Sequence, residues 1–404
     1  MLKATVIIGF AEALSAPEVA WSLVDHGFNV IAFTRRGRKP ALRHSRFVRV
    51  LEVTPPEADL AQAADDLKTA VSSVTASSSI PVAVMPLDDQ ALWLCGRTDV
   101  RRQAQLVGPE GEALDLALDK SIQVEFAKAA GFSVPPYKCV DRAEDILKEE
   151  VEFPVVFKPA LAATESAGTL SRGHGWICAD WAELKSAMNR WAGRGPMLLQ
   201  KFVPGVGEGI FGLATARGVL AWSGHRRVRM MNPQGSGSSA CTAVLHIDEQ
   251  CRANAERFLD ASAWRGLFMV ELLRDDSGKL WFIEFNGRPW GSMALARRVG
   301  LEYPAWAAEM ALNPGVSLEI PQPKEVVPVC RHLAREILHV LFVARGSKSK
   351  ALVRWPSIWT ALSDVCRIGR NDCWYNWRSN DPKVFLSDSF GSLWTQLVST
   401  KKQG

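Results

Sequence analysis

Two glutamates, at positions 271 and 284, stand on either side of a turn at a spacing that could hold a metal ion. The stretch 268–288 reads FMVELLRDDSGKLWFIEFNGR. Alternating apolar residues flank Asp275-Asp276-Ser277-Gly278-Lys279, which is turn chemistry, so a β-hairpin is predicted. With Ser277 and Gly278 at the tip, Val270 faces Phe285, Leu272 faces Ile283 and Arg274 faces Trp281, a mostly apolar side for the core. On the other side Met269 meets Asn286, and Glu271 meets Glu284. Side chains paired in this way stand roughly 4.5–5.5 Å apart at Cβ, where like charges repel. A hard cation such as Mg2+ between them removes that cost, because it prefers carboxylate and phosphate oxygens. Asn286 adds a neutral oxygen on the same side, and Arg288 continues it within reach of a phosphoryl group. The pattern also suits a solvated strand face that carries two glutamates.

Cations recur at places without a core role. Lys120 opens a predicted helix over 119–130, capped by Asp119, striped by Ile122, Phe126 and Ala129, and stopped at Gly131 before Pro135-Pro136. A lysine in that position is most often simply solvated. Lys158 ends the apolar strand 153–158 (FPVVFK). His225-Arg226-Arg227-Val228-Arg229 follows the strand 219–222 and precedes a Gly/Ser loop at 235–239. A two-residue period puts Arg227 and Arg229 on one face and Arg226 on the other. That arrangement suits an anion site or an exposed basic strand; His225 carries no assigned role.

These residues resemble the ATP-grasp superfamily. Glu271 and Glu284-Phe285-Asn286-Gly287-Arg288 resemble its magnesium-binding strands, and Pro289-Trp290-Gly291-Ser292 looks like a branch of predicted carboxylate–amine ligases. The resemblance covers roughly residues 100–315, its separate motifs falling in the family's order. It implies that Glu271, Glu284 and Asn286 hold Mg2+ (or Mn2+), that Lys120 and Lys158 hold the phosphates of ATP, and that 160–176 covers them. It implies further that 197–205 is the hinge receiving adenine, through backbone groups of Lys201 and Val203 and the amide of Gln200, with Glu208 on the ribose. An acid is usual where Lys201 stands. Arg288, with Arg227 or Arg229, would stabilise an acyl phosphate. The implied activity is ADP-forming ligation of a small carboxylic acid, amino-acid-like, to an amine. The rivals are an ATP-grasp phosphotransferase and a non-catalytic nucleotide-binding protein.

The chain has 404 residues, 47% of them apolar, enough for two or three cores. Short apolar strands at 5–8, 29–33, 48–50 and 81–86, with helices near 17–26 and 57–76, predict an open parallel sheet in the first 107 residues. GxGxxG is absent, which argues against a dinucleotide site. The expected fold is α/β. A Rossmann-like domain (1–107) precedes two ATP-grasp subdomains (108–202 and 203–320), and a helical extension (321–404) closes the chain. No apolar run of 18 residues occurs, and the eight scattered cysteines lack CxxC spacing, so a cytoplasmic protein with reduced thiols and no zinc site is expected. Nothing points to nucleic acid, and an oligomer is compatible with the sequence. Residues 321–404 carry thirteen Lys/Arg against six Asp/Glu, and five of the fifteen tryptophans. Within 331–404, Arg345, Lys348, Lys350, Arg354, Arg367 and Arg370 accompany Trp355 and Trp359. That mixture suits peripheral contact with a membrane or an acidic partner, or tryptophans packed on the body beneath solvated cations.

Overall fold

The computed structural model describes residues 2–147, 150–191, 193–234, 236–244, 246–324, 327–347, 350–351 and 355–401. Gly235, Lys348 and Arg354 lie outside the described residues. The first five strands are β1 (Thr5–Gly9), β2 (Asn29–Arg35), β3 (Val48–Val53), β4 (Val82–Pro86) and β5 (Gln105–Leu106). They form one parallel sheet in the order β3-β2-β1-β4-β5. Parallel strands need both faces covered, which is why β1 is apolar and buried throughout. Helix Ala16–Asp25 covers one face. Helix Leu60–Ser77 covers the other, burying Leu60, Ala63, Leu67, Val71 and Val74 at helical spacing.

Next come β6 (Tyr137–Val140), β7 (Val155–Pro159), β8 (Thr164–Ser166), β9 (Thr169–Ser171), β10 (Trp176–Cys178) and β11 (Met197–Lys201). Four of them make an antiparallel sheet ordered β10-β7-β11-β6, while β8 and β9 pair as a hairpin. The remaining strands are β12 (Val206–Thr215), β13 (Gly218–Asn232), β14 (Ser236–Val244), β15 (Gly266–Arg274), β16 (Leu280–Asn286), β17 (Val329–Arg331) and β18 (Asp372–Trp374). They form a seven-stranded sheet ordered β16-β15-β12-β13-β14-β17-β18. Helices Lys120–Ala129 and Glu249–Ala261 pack on one of its faces, with Phe258 stacked on Phe285 at 4.8 Å. Helices Met293–Arg298 and Tyr303–Leu312 join the other face to the parallel sheet.

The C-terminal segment is more than the helical extension expected. β17 and β18 complete the large sheet, because Cys330 pairs with Cys241 on one side and with Cys373 on the other. Helix Leu333–Arg345 packs on β13 and β14, while Asp381 accepts hydrogen bonds from Trp21 Nε1 and Ser45 Oγ. Trp355 Nε1 donates to the Val343 carbonyl, whereas Trp359, Phe390 and Trp394 stand outside.

Candidate functional site

β16 is the last strand of its sheet, yet its backbone edge is covered. Buried Gln123 accepts the Phe285 N–H through Oε1 and donates Nε2 to the Phe285 carbonyl, both at 2.9 Å. Phe282 N–H donates to the Ser133 carbonyl at 2.8 Å. These bonds satisfy an edge that would otherwise invite strand addition, and they fix helix Lys120–Ala129 against the hairpin. The buried side of that helix is Gln123, Val124 and Ala127; of the predicted stripe, Ile122 and Phe126 are half-buried and Ala129 is exposed. Lys120, one turn before Gln123, places Nζ 3.7 Å from Glu284 Oε2.

The hairpin pairs Met269 with Asn286, Val270 with Phe285, and Glu271 with Glu284. Beyond Glu271 the register slips, so Leu272 faces Phe282 and Arg274 faces Leu280, not Ile283 and Trp281 as expected. Ile283 is the extra residue of a β-bulge, which leaves its carbonyl outside the ladder. Lys158 Nζ, arriving from β7, lies 3.5 Å from that carbonyl. Lys158 also shares a face of its own sheet with Leu198 and Gln200 of β11. Gln200 is 3% exposed, and its Nε2 has no hydrogen-bond partner among the described residues. Val203 lies in the short link between β11 and β12. Lys201 turns outward instead: its Nζ pairs with Glu152 at 2.9 Å and its N–H donates to the Pro136 carbonyl.

The arginines divide, contrary to the two-residue period. A bulge between Arg227 and Arg229 makes them register partners of Cys241 and Ala240, adjacent residues on opposite faces. Arg227 therefore turns inward and pairs with Glu271. Arg229 turns to the C-terminal segment, meeting Glu336 and donating to the Asp364 carbonyl at 2.8 Å, so it lies outside the cluster. Two glycines make room for Arg227 and His225. A Cβ at Gly207 would fall 2.5 Å from Arg227 Cδ, and one at Gly209 would fall 3.0 Å from His225 Nε2. His225 Nδ1 bonds Ser292 Oγ at 2.6 Å, which joins the His-Arg-Arg and Pro-Trp-Gly-Ser segments. Burial, and then Arg227, pushes its pKa down to about 3, so the imidazole is neutral.

Glu208 also departs from expectation. Its register partner on β15 is Leu272, which belongs to the core face, whereas Glu271 pairs with Gly209 on the other. Its Oε1 accepts from Arg226 Nε at 2.7 Å and from Arg274 Nε at 2.9 Å, and its Oε2 accepts from Arg274 Nη2 at 3.0 Å. Both oxygens are thus engaged, on the side of the sheet away from Glu271 and Glu284.

Arg288 is the site's link to the parallel sheet. Asp89, first residue of helix Asp89–Arg97 after β4, binds its guanidinium at both Nε and Nη2. Asp89 is the residue that reading the sequence missed. Its one signal is its place beyond the C-terminal end of a parallel strand, where doubly wound folds put ligands. The segment 160–176, expected to cover phosphates, contains the hairpin β8–β9. Its turn carries positive φ at Ala167 and Gly168, and it is tied to the first sheet by Gly168 O to Leu60 N and Leu170 N to Pro56 O.

One cluster thus collects Lys120, Lys158, Arg227 and Arg288 against Glu271, Glu284 and Asp89, a surplus of positive charge that fits an anion. The glutamate pair is only 18% and 28% exposed at its side chains. Burial, opposed by Arg227 and reinforced by Glu284, leaves Glu271 above the usual carboxylate range, while Lys120 and Lys158 overcome burial to hold Glu284 below it. Burial pulls Lys158 down to about 8 against the attraction of Glu284. Two facing carboxylates with an adjacent amide, Asn286 Nδ2 being 3.3 Å from Glu284 Oε1, form a donor set that suits a hard divalent cation. At roughly 5 Å and an effective dielectric of about 20, the repulsion such a cation would relieve is on the order of 3 kcal/mol.

No protein-family model matches the chain, and no curated protein matches it in sequence. Solved structures do match in fold. N5-carboxyaminoimidazole ribonucleotide synthetase, in an ADP complex, superposes with a TM-score of 0.61 at 16% identity, covering 90% of this chain and 96% of that one. The biotin carboxylase domain of Hydrogenobacter thermophilus 2-oxoglutarate carboxylase, in complex with MgADP, ADP and bicarbonate, gives 0.60 at 18% identity over 81% and 74%. L-amino acid ligase from Bacillus licheniformis gives 0.56 at 18% identity over 77% and 74%. This chain has their fold, the ATP-grasp architecture that the motifs implied.

Proposed function

We propose that the protein is an ATP- and Mg2+-dependent ligase that joins a small carboxylic acid to an amine through an acyl phosphate, releasing ADP and phosphate. The observation that carries this reading is the convergence of Glu271, Glu284, Asn286, Lys120, Lys158, Arg227 and Arg288 in one cluster of an ATP-grasp fold. The structural neighbours include enzymes named as an amino acid ligase and a carboxyaminoimidazole ribonucleotide synthetase, which supports C–N bond formation as the reaction class.

Glu271, Glu284 and Asn286 would hold the Mg2+, which when bound neutralises phosphate charge and draws the terminal phosphoryl group's electrons. Lys120, from the helix packed on the large sheet, and Lys158, from the four-stranded sheet, bind phosphate oxygens. Gln200, buried on the face of Lys158, contacts the base through its Nε2, and the link at Lys201–Val203 offers it backbone groups. Arg288, aimed by Asp89, and Arg227 face the charge that develops on the acyl phosphate and its tetrahedral adduct. Fixed cations in a site largely closed to water are worth most there, since they need no reorganisation as charge moves. The hairpin β8–β9 excludes water from the acyl phosphate. Little proton chemistry is asked of the protein, because positioning and charge neutralisation do most of the work in phosphoryl transfer.

The test is ADP release over a panel of amino acids, alone and in pairs. The ligase reading expects ADP only when an acid and an amine are both present. A stable phosphorylated acid formed without amine would make the protein a phosphotransferase. Binding of ATP with no turnover on any pair would make it a nucleotide-binding protein.

A further inference from the structure

Three cysteines stand in a single row across the far end of the seven-stranded sheet. Cys241 of β14 is the register partner of Cys330 of β17, and Cys330 is the register partner of Cys373 of β18. Register partners share a face, so the three thiols project to one side. Two of them meet: Cys330 Sγ and Cys373 Sγ are 2.9 Å apart. Neighbouring strands lie about 4.8 Å apart, inside the roughly 4.4–6.8 Å Cα window of a disulfide, so a bond needs no movement of the backbone. Cys241 is engaged elsewhere, its Sγ 3.2 Å from Ser238 Oγ.

The surroundings make the two thiols unequal. Cys330 is fully buried, whereas Cys373 is half-buried and within reach of a small reagent. Arg298 lies beside the pair, donating to the carbonyls of Trp374 at 3.3 Å and Trp377 at 3.1 Å. The hydrogen bond with Cys330, and then Arg298, pull the Cys373 thiol below its ordinary range against the effect of burial. The same hydrogen bond together with burial pushes Cys330 up. A half-buried, more acidic thiol beside a fully buried, less acidic one suits a division into attacking and resolving cysteines.

We propose that Cys330 and Cys373 are a reversible modification site, a thiol pair that closes to a disulfide on meeting a low-molecular-weight disulfide and reopens on reduction. The Cys373 thiolate attacks one sulfur of the reagent and expels the other as a thiolate, leaving a mixed disulfide. The Cys330 thiol then gives up its proton and attacks Cys373 Sγ, expelling the second reagent thiolate. Each protein thiol loses one proton and one electron, and the reagent leaves as two thiols. The new bond fastens β18, a three-residue edge strand, to the body of the sheet. The row runs on along the same face through Cys241 to its register partner Arg227, which holds Glu271. From that row the Arg227 side chain reaches across to Glu271, which stands in the neighbouring row with Gly209 and His225.

The full chain, reduced and then exposed to oxidised glutathione, is quenched with an alkylating agent, digested with trypsin and analysed without reduction. Cys330 falls in peptide 325–331 and Cys373 in peptide 371–378, each with a single cysteine. The expected result is these two peptides joined, two hydrogens lighter than their sum, with exposed Cys139 and Cys366 not joined to either. The oxidised protein melts at a higher temperature, because a cross-link restricts the unfolded chain, and dithiothreitol reverses the shift. Cys330→Ser should retain glutathione on Cys373, and Cys373→Ser should lose the joined peptide. Recovery of both cysteines as alkylated thiols, a glutathione adduct on Cys373 without the joined peptide in the unaltered chain, or an equal yield of joined peptide from protein oxidised in urea would each overturn the proposal.

Discussion

Asp89 and Arg288 meet carboxylate to guanidinium, with Nε to Oδ1 at 2.5 Å and Nη2 to Oδ2 at 3.1 Å, although 199 residues separate them in the chain. The pair joins the parallel sheet to the hairpin of the candidate metal site, and both side chains are nearly buried, at 11% and 14% exposure. Removing one partner of a buried pair leaves the other charge uncompensated, at a cost of about 3–5 kcal/mol. Asp89→Ala should therefore lower Tm by several degrees and slow ADP release at least about tenfold, because Arg288 loses its aim. Arg288→Lys should fail to restore the two-point contact. Unchanged melting and turnover in Asp89→Ala would show that the pair positions nothing.

Glu208 supplies a second contrast. Its oxygens are taken by Arg226 and Arg274 on the core side of the sheet. Glu208→Ala should lower Tm, while the further rise in Tm given by MgATP falls no more than the rise given by magnesium tripolyphosphate. A loss specific to ATP would return Glu208 to the ribose.

Much of this arrangement was legible in the sequence, and the two failures of register share a cause. The pairing of Glu271 with Glu284 followed from alternation and turn chemistry, since a period of two fixes which side chains face each other. The same rule failed beyond Glu271 and again between Arg227 and Arg229, because each stretch contains a bulge and one inserted residue reverses every face after it. Arg227 and Arg229 consequently serve different partners. Asp89 was invisible for another reason: a contact between distant segments leaves no periodic trace. Gln123 was equally silent, since a glutamine on a helix suggests solvent until its carboxamide is found paired with the Phe285 peptide groups.

The hairpin tip gives a pH test. Asp275 accepts from Ser277 Oγ and from Trp281 Nε1, and also from the N–H groups of Ser277 and Lys279, which holds its pKa down to about 2. A depressed carboxylate contributes stability above its unfolded value, near 3.9, and loses it as pH falls toward the folded value. The Tm deficit of Asp275→Asn should thus be constant from pH 7 to 5 and shrink below about pH 4. A deficit that does not change with pH would mean the charge is irrelevant at the tip.

The C-terminal segment is expected to be indispensable. A chain ending at Pro328 lacks β17 and β18, and it strands Arg229, which is 11% exposed and paired with Glu336. It should aggregate or lose the Tm shift given by ATP. A soluble, active shortened chain would make the segment a docking element, to be tested by salt-sensitive binding of the full chain to anionic vesicles.

The central claim is that Glu271 and Glu284 share the cation that turnover requires. It is tested most directly by ADP release from Glu284→Gln, on the acid–amine pair that best supports the unaltered protein. The substitution keeps the shape and removes one charge, so melting should be unchanged and turnover lower by at least about 100-fold, with Asn286→Ala milder. Full ADP release by Glu284→Gln at ordinary magnesium would contradict it.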